Sequence, residues 1–233
     1  MATRISITRD ALSHIFYQRC FWLFAVLVAL IGAVSFVPST DHGRLVLNAV
    51  NMFALIAAVA AVGRTTRSFV FALVLAIPAV WFQYSGLWRD DDSQLAISWT
   101  FSAGLYFITT IYLLQYVFQP TVMTQDKLFG AAAAYLMIGV FWGYSYAIVG
   151  FVYPHSYMVV GQPGSLVYAD ALYLSITVLT STGFGDITPL TRQARGVCMI
   201  EQINGALFVA ILIARLAGVY PARESYIDVT SKA

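Results

Sequence analysis

Six long apolar stretches, separated by short polar ones, dominate the pattern of this chain. A bilayer core about 30 Å thick takes about 20 apolar helical residues to cross, and each stretch approaches that length. The six predicted helices cover residues 21–37, 45–62, 69–84, 95–118, 128–151 and 196–219. The pattern predicts an all-α integral membrane protein with six transmembrane helices. No small-residue cleavage site closely follows the first stretch, so we expect a retained helix rather than a signal peptide.

A seventh apolar piece lies between the last two long stretches. It runs from residue 171 to 179, inside the segment 152–195 that joins the fifth and sixth predicted helices. It is too short to span a bilayer, which makes it a candidate re-entrant segment. Non-helical backbone at membrane depth is tolerated only where it is buried in protein or lines a water-filled path. The segment therefore hints at a pore.

The distribution of basic residues predicts the orientation of the chain. Loops on the cytoplasmic side of membrane proteins carry an excess of Lys and Arg. Of the 13 basic residues, nine lie on the side of the N-terminus, and four lie on the other side: Arg44, Arg89, Arg192 and Arg195. Both termini are therefore expected in the cytoplasm, with the acidic run 90–92 outside. That run is either a solvated loop before the fourth helix or a weak cation site.

Composition excludes several other classes of protein. The chain is 60% hydrophobic and 10% charged, whereas soluble domains carry about 25% charged residues. Its net charge of +2 gives no reason to expect a nucleic-acid partner. Cys20 and Cys198 fall in or beside apolar segments and are expected to pack rather than to form a disulfide. No Cys/His cluster has metal-site spacing, no paired acid and histidine suggests an enzyme, and no internal repeat suggests a transporter.

The residues from 170 to 186 have the pattern of a short helix followed by a carbonyl-lined turn. Asp170 is a candidate N-cap for a helix of about three turns that starts at Ala171. Gly183 and Gly185 permit backbone conformations that other residues avoid, so successive carbonyl groups can point to the same side. Four such segments around an axis would stack rings of oxygen atoms that replace the water shell of a cation. The negative end of the short helix would favour a cation below them.

These residues resemble the potassium-channel family. Residues 181–186, Ser-Thr-Gly-Phe-Gly-Asp, are similar to the Thr-Val-Gly-Tyr-Gly filter of that family. The resemblance continues upstream through 171–175, Ala-Leu-Tyr-Leu-Ser, which is similar to the pore helix of simple bacterial channels. Gly205 lies where those channels have a hinge glycine in the inner helix. The resemblance covers roughly residues 128–219 and extends to small bacterial ion-channel-family proteins.

The resemblance implies a homotetramer in a lipid bilayer, the plasma (inner) membrane of a bacterium, that conducts monovalent cations. It implies K⁺ as the permeant ion, no organic cofactor and a gating hinge at Gly205. It also implies that Thr180 and Asp186 support the filter. The implied ion-binding residues are Ser181, Thr182, Gly183, Phe184 and Gly185.

Three departures from the family pattern keep a second function open. Phe184 replaces a tyrosine and lacks its hydroxyl, Ser181 replaces a threonine and lacks a stiffening methyl, and Thr182 places a hydroxyl where an apolar side chain usually packs. A weakly selective cation channel of the same architecture is therefore the alternative. Thr177 stands where some relatives have an acid, so an acid clamp on Asp186 is not expected from it.

Glu201 is the one acid inside a predicted spanning segment, and such acids are costly and usually functional. Its candidate partners are Arg195 and the hydroxyls of Ser175 and Thr177. Three roles remain open from the sequence: it braces the filter, it attracts cations in the cavity, or it packs between helices.

The chain as a whole contains four predicted regions. Residues 1–20 form a cytoplasmic N-terminus, 21–119 a four-helix region, 128–219 the pore module and 220–233 a cytoplasmic tail. The fourth predicted helix contains no Lys or Arg, so voltage sensing by gating charges is not expected. Gly139 and Gly143 have GxxxG spacing, which either lets the fifth helix pack closely or occurs by chance.

Overall fold

The computed structural model describes residues 19–36, 41–62, 66–89, 91–120 and 123–219. Helices form at all six predicted positions. In chain order the elements are α1 (Arg19–Phe36), α2 (Asp41–Val62), α3 (Thr66–Arg89), α4 (Asp92–Val117), α5 (Gln125–Val152), β1 (Tyr157–Val159), β2 (Gln162–Gly164), α6 (Tyr168–Leu179), β3 (Ile187–Pro189) and α7 (Arg192–Val219). Most of the predicted N-terminal segment 1–20 and the tail 220–233 lie outside the described residues.

Three helices in the described part of the chain are long and apolar enough to cross a membrane. They are α4, α5 and residues Arg192–Gly218 of α7. Helices α1, α2 and α3 carry shorter apolar runs, so their spanning of a bilayer stays a prediction. The protein is thus mostly helical, and its three candidate spanning helices lie between residues 92 and 218.

Helix α3 is longer than its apolar pattern predicts. It covers Thr66–Arg89 rather than residues 69–84, and Pro78 lies inside it. A proline removes one backbone hydrogen bond from a helix, yet the helix continues on both sides of Pro78. Helix α3 packs along α4, so its outer residues need not be apolar to remain helical.

The acidic run before α4 acts at least partly as a helix cap. The side chain of Asp91 accepts a hydrogen bond from the Ser93 backbone N–H at 2.9 Å, and Asp92 lies in the first turn of α4. Both positions suit acids because the helix N-terminus carries unpaired N–H groups and a positive partial charge. Asp90 lies outside the described residues.

Helix α5 lies at the centre of the bundle and contacts α1, α4, α6 and α7. Helix α1, which contacts α5, buries Leu23, Leu27 and Leu30. Their spacing places all three on one face of the helix. Cys20 and Cys198 are not joined in a disulfide, as the sequence predicts. The core thus ties the N-terminal helices to the segment that carries the filter-like residues.

A small antiparallel sheet of order β2-β1-β3 lies beside α6. Strands β1 and β2 are joined by Val160 and Gly161, whose φ angles of 47° and 81° suit a two-residue hairpin turn. The backbone N–H of Val160 donates to the Asp186 carbonyl at 3.0 Å. The sheet therefore fixes the end of the loop that follows α6. The sequence analysis did not predict these strands.

Candidate functional site

Helix α6 forms the platform of the site. It begins at Tyr168, with Val167 as its N-cap and no side-chain capping bond. The prediction that Asp170 caps a helix starting at Ala171 is therefore wrong: Asp170 lies in the first turn. An acid there still interacts favourably with the positive helix end. The helix ends at Leu179, directly before the filter-like residues.

Close packing of α5 against α6 depends on two glycines. A Cβ added to Gly139 would lie 2.8 Å from Ile176 Cδ1, and one added to Gly143 would lie 3.1 Å from the Leu172 Cα. Both distances are shorter than ordinary van der Waals contacts, so larger side chains would push α6 away. The GxxxG spacing thus serves helix packing, and the reading as chance is wrong.

The loop from Thr180 to Asp186 has an alternating backbone. The φ angles of Ser181, Gly183 and Gly185 are 56°, 55° and 84°, and the two residues between them do not have positive φ. Glycine adopts such angles readily, whereas serine does so at a cost. Because the sign of φ alternates along this loop, successive carbonyl groups can point to the same side. All seven residues are exposed in the single chain.

The start of this loop is held by the end of α6. The backbone N–H groups of Thr182 and Gly183 both approach the Thr177 carbonyl, at 2.8 and 3.3 Å, and Ser181 donates to the Val178 carbonyl at 2.9 Å. These bonds consume carbonyls that a helix end otherwise leaves without intrahelical partners. The loop is therefore continuous in hydrogen bonding with the helix that precedes it.

The hydroxyl of Thr182 has a partner. Thr180 Oγ1 donates to the Ile176 carbonyl at 2.7 Å and lies 2.8 Å from Thr182 Oγ1. Because Thr180 has one hydroxyl hydrogen, which Ile176 accepts, Thr182 is the donor to Thr180. The two threonines thus tie the loop to α6, and the hydroxyl that departs from the family pattern is satisfied within its own chain.

Tyr173 holds the far end of the loop. Its hydroxyl donates to Asp186 Oδ2 at 2.8 Å, and its ring lies nearly parallel to that of Phe184, with centroids 6.3 Å apart. The hydrogen bond to Asp186 raises the pKa of Tyr173. Burial, and next the negative charge of Asp186, raise the pKa of Asp170.

Glu201 of α7 is fully buried between three helices. Its Oε2 accepts a hydrogen bond from the Tyr146 hydroxyl of α5, and its Oε1 lies 2.6 Å from Ser175 Oγ of α6. Ser175 was predicted as a partner; Tyr146 was not. Glu201 thus links α6 to α5 and α7, the two long helices before and after it in the chain.

The other two predicted partners of Glu201 bind elsewhere. Thr177 Oγ1 donates to the Leu174 carbonyl within α6 at 2.8 Å. Arg195 Nε donates to the Pro189 carbonyl at 3.3 Å. An arginine would neutralise the acid, whereas hydroxyls only hydrogen-bond it. The site around Glu201 is thus a hydroxyl-lined contact rather than a salt bridge.

Gly205 is the point of closest approach between α7 and the end of α6. A Cβ at this position would overlap the Leu179 carbonyl oxygen and lie 3.1 Å from its carbon. The same carbonyl accepts a hydrogen bond from the Tyr135 hydroxyl at 3.0 Å. Glycine is therefore required here for packing, and its role as a gating hinge stays a prediction.

Conventional clusters of metal-ligating side chains are absent from the described part of the chain. No group of three His, Cys, Asp or Glu side chains there is placed to hold a metal ion. The loop 180–186 exposes backbone and hydroxyl oxygens, a type of ligand that suits hard cations better than transition metals.

The helices and the site define an integral membrane protein with an oxygen-rich loop held between two of its three candidate spanning helices. Comparison with known families then identifies the segment: residues 129–220 match the family model described as an ion channel. No curated protein and no solved structure gives a significant match to the chain. The segment that contains Thr180–Asp186, Glu201 and Gly205 thus lies within the part of the chain that is similar to ion channels.

Proposed function

We propose that the chain is one subunit of a homotetrameric, potassium-selective channel. Backbone oxygens of residues 181–185, together with the Ser181 hydroxyl, would coordinate K⁺ in place of its water shell. The observation that carries the proposal is the alternating φ of Ser181, Gly183 and Gly185 in a loop that follows a short helix inside the segment that is similar to ion channels. Ions would pass down their gradient through one axial pore.

The surroundings of the loop supply the rigidity that selectivity needs. Thr182 and Thr180 hold its start, while Tyr173 and the small sheet hold Asp186 at its end. Tyr173 thus offers a hydroxyl on the outer side of a loop whose own aromatic residue, Phe184, lacks one. Glu201 would brace α6 from below through Ser175.

Conduction would not depend on voltage through gating charges. Voltage sensors place several arginines on one helix, whereas α4 contains neither Lys nor Arg. The distribution of basic residues favours both termini in the cytoplasm, and the channel would lie in a plasma (inner) membrane.

A weakly selective cation channel of the same architecture is the second candidate. The feature that favours it is Phe184, which has no hydroxyl to anchor its ring. A filter that widens at this residue would admit hydrated Na⁺ as well as K⁺.

Rubidium uptake into liposomes tests the proposal, because Rb⁺ substitutes for K⁺ in oxygen-lined sites. Liposomes that are loaded with K⁺ and contain the wild-type protein should take up external Rb⁺. Gly183→Ala should reduce uptake at least about tenfold, since alanine at positive φ costs about 1–2 kcal/mol in each chain. Gly164→Ala is the matched control because its Cβ would meet open space. Equal uptake by the two variants would contradict a filter at Gly183.

A further inference from the structure

A buried amide connects the N-terminal helices to the segment that is similar to ion channels. Asn51 of α2 is 3% exposed. Its Oδ1 accepts a hydrogen bond from the Tyr144 hydroxyl of α5 at 2.9 Å, and its Nδ2 donates to Gln83 Oε1 of α3 at 3.3 Å. Three helices therefore meet at one side chain whose donor and acceptor are both used.

The ring of Tyr144 extends this contact to α6. It stacks on Tyr168, the first residue of α6, with centroids 4.6 Å apart and planes 27° from parallel. On another side it stacks on Tyr106 of α4, at 5.9 Å and 26°. Tyr144 thus contacts the N-terminal region with its hydroxyl and the first turn of α6 with its ring.

The hydrogen bond between Asn51 and Tyr144 favours one relative position of helices α2 and α5. A buried polar group that loses its partner keeps its desolvation cost, so the bond favours one relative position of α2 and α5. Apolar packing alone is less directional and permits sliding between helices. The Tyr106 hydroxyl differs, because it is buried and has no hydrogen-bond partner among the described residues.

We propose that Asn51 and Tyr144 are positioning residues through which helices α2–α4 set the position of α6 and of the loop 180–186. A shift of α2 relative to α5 would break the hydrogen bond or move the Tyr144 ring. Tyr168 would then lose its stacking partner, and α6 would move at the end opposite the loop. The effect on conduction rests on the proposed function; the mechanical link does not.

Hydrogen–deuterium exchange of the full chain in lipid nanodiscs tests the link without requiring current. Tyr144→Phe and Asn51→Leu should each raise exchange of α6 amides about two- to tenfold, the factor that one buried hydrogen bond typically supplies. The double variant should raise exchange by less than the product of the two single effects, because both substitutions remove the same bond. Tyr106→Phe is the matched control and should leave α6 exchange unchanged.

Ion flux provides the second readout, since a general loss of stability would not alter selectivity. Tyr144→Phe should lower the ratio of Rb⁺ to Na⁺ uptake, while Tyr106→Phe should retain it. A wild-type protein without flux would contradict the proposed function and leave the exchange result to decide the link. Unchanged α6 exchange in Tyr144→Phe, or an equal rise in Tyr106→Phe, would overturn the inference.

Discussion

Ser175 has one hydroxyl hydrogen and two acceptors within reach. Its Oγ lies 2.7 Å from the Gly139 carbonyl oxygen and 2.6 Å from Glu201 Oε1. Ser175 donates either one hydrogen shared between both acceptors or, when Glu201 supplies a hydrogen of its own, a full bond to Gly139 alone. In the second arrangement Glu201 donates to Ser175, Ser175 donates to Gly139, and Tyr146 donates to the other carboxyl oxygen.

This count of hydrogens predicts that glutamine can replace Glu201. In Glu201→Gln, the amide N–H₂ would donate to Ser175 and the amide oxygen would accept from Tyr146, so thermal stability and flux should stay near wild type. Glu201→Leu keeps the volume and removes both contacts. An unsatisfied buried hydroxyl costs about 1–3 kcal/mol, which corresponds to a Tm roughly 2–12 °C lower.

Thermal unfolding of the purified protein in detergent, followed by tryptophan fluorescence, measures the difference. If Glu201→Gln unfolds as early as Glu201→Leu, a negative charge at this position is required, and the hydrogen-bond scheme is wrong.

The hydrogen-bond partners of Glu201 were predictable from the sequence only in part. Ser175 was within reach of prediction, because its short helix must pack against α7 near Glu201. Tyr146 was not: it lies 55 residues away on α5, and its approach depends on how three helices pack together. Asn51 gave no signal either, since one amide in an apolar helix is indistinguishable in sequence from a solvent-facing one.

At the scale of elements, Gly205 sets the distance between α7 and α6. Alanine usually stabilises a helix relative to glycine by about 1 kcal/mol. Gly205→Ala should do the opposite, because its Cβ would overlap the backbone of Leu179. We expect a lower Tm and altered flux.

Gly196→Ala is the control for this prediction. It lies on the same helix, and its Cβ would meet nothing within 4 Å, so the variant should be as stable as wild type or more so. A Gly205→Ala protein with wild-type stability but slower opening would instead favour the hinge function over the packing function.

The helices were predictable and the short strands were not. Apolar stretches near the length of a membrane span fix six helices to within a few residues, because length and composition are local properties of the chain. The three strands hold three residues each, too few for an alternating pattern. They exist because β1 pairs with β3 across the whole of α6, a contact that no local pattern encodes.

At the scale of the whole molecule, α7 leaves much of its apolar surface uncovered. In the single chain, Met199, Ile203 and Ile213 are 61%, 58% and 61% exposed. The loop 180–186 is also exposed, and in the proposed channel one copy of it would supply one side of a coordination shell. Both features fit an assembly in which α7 packs against other copies around a central axis.

We therefore expect four chains in the native assembly. Native mass spectrometry from a mild detergent should give a species of four times the chain mass. Ile203→Asp, on the exposed surface of α7, should shift it towards smaller species, whereas Ile77→Asp, equally exposed on α3, should not. A stable monomer or dimer that conducts would contradict the tetramer.

The reversal potential of the purified protein in a planar bilayer, with K⁺ on one side and Na⁺ on the other, tests the central claim most directly. A loop of backbone oxygens held at both ends predicts a reversal potential near the K⁺ equilibrium potential. A reversal potential near zero would contradict potassium selectivity and identify the protein as a weakly selective cation channel.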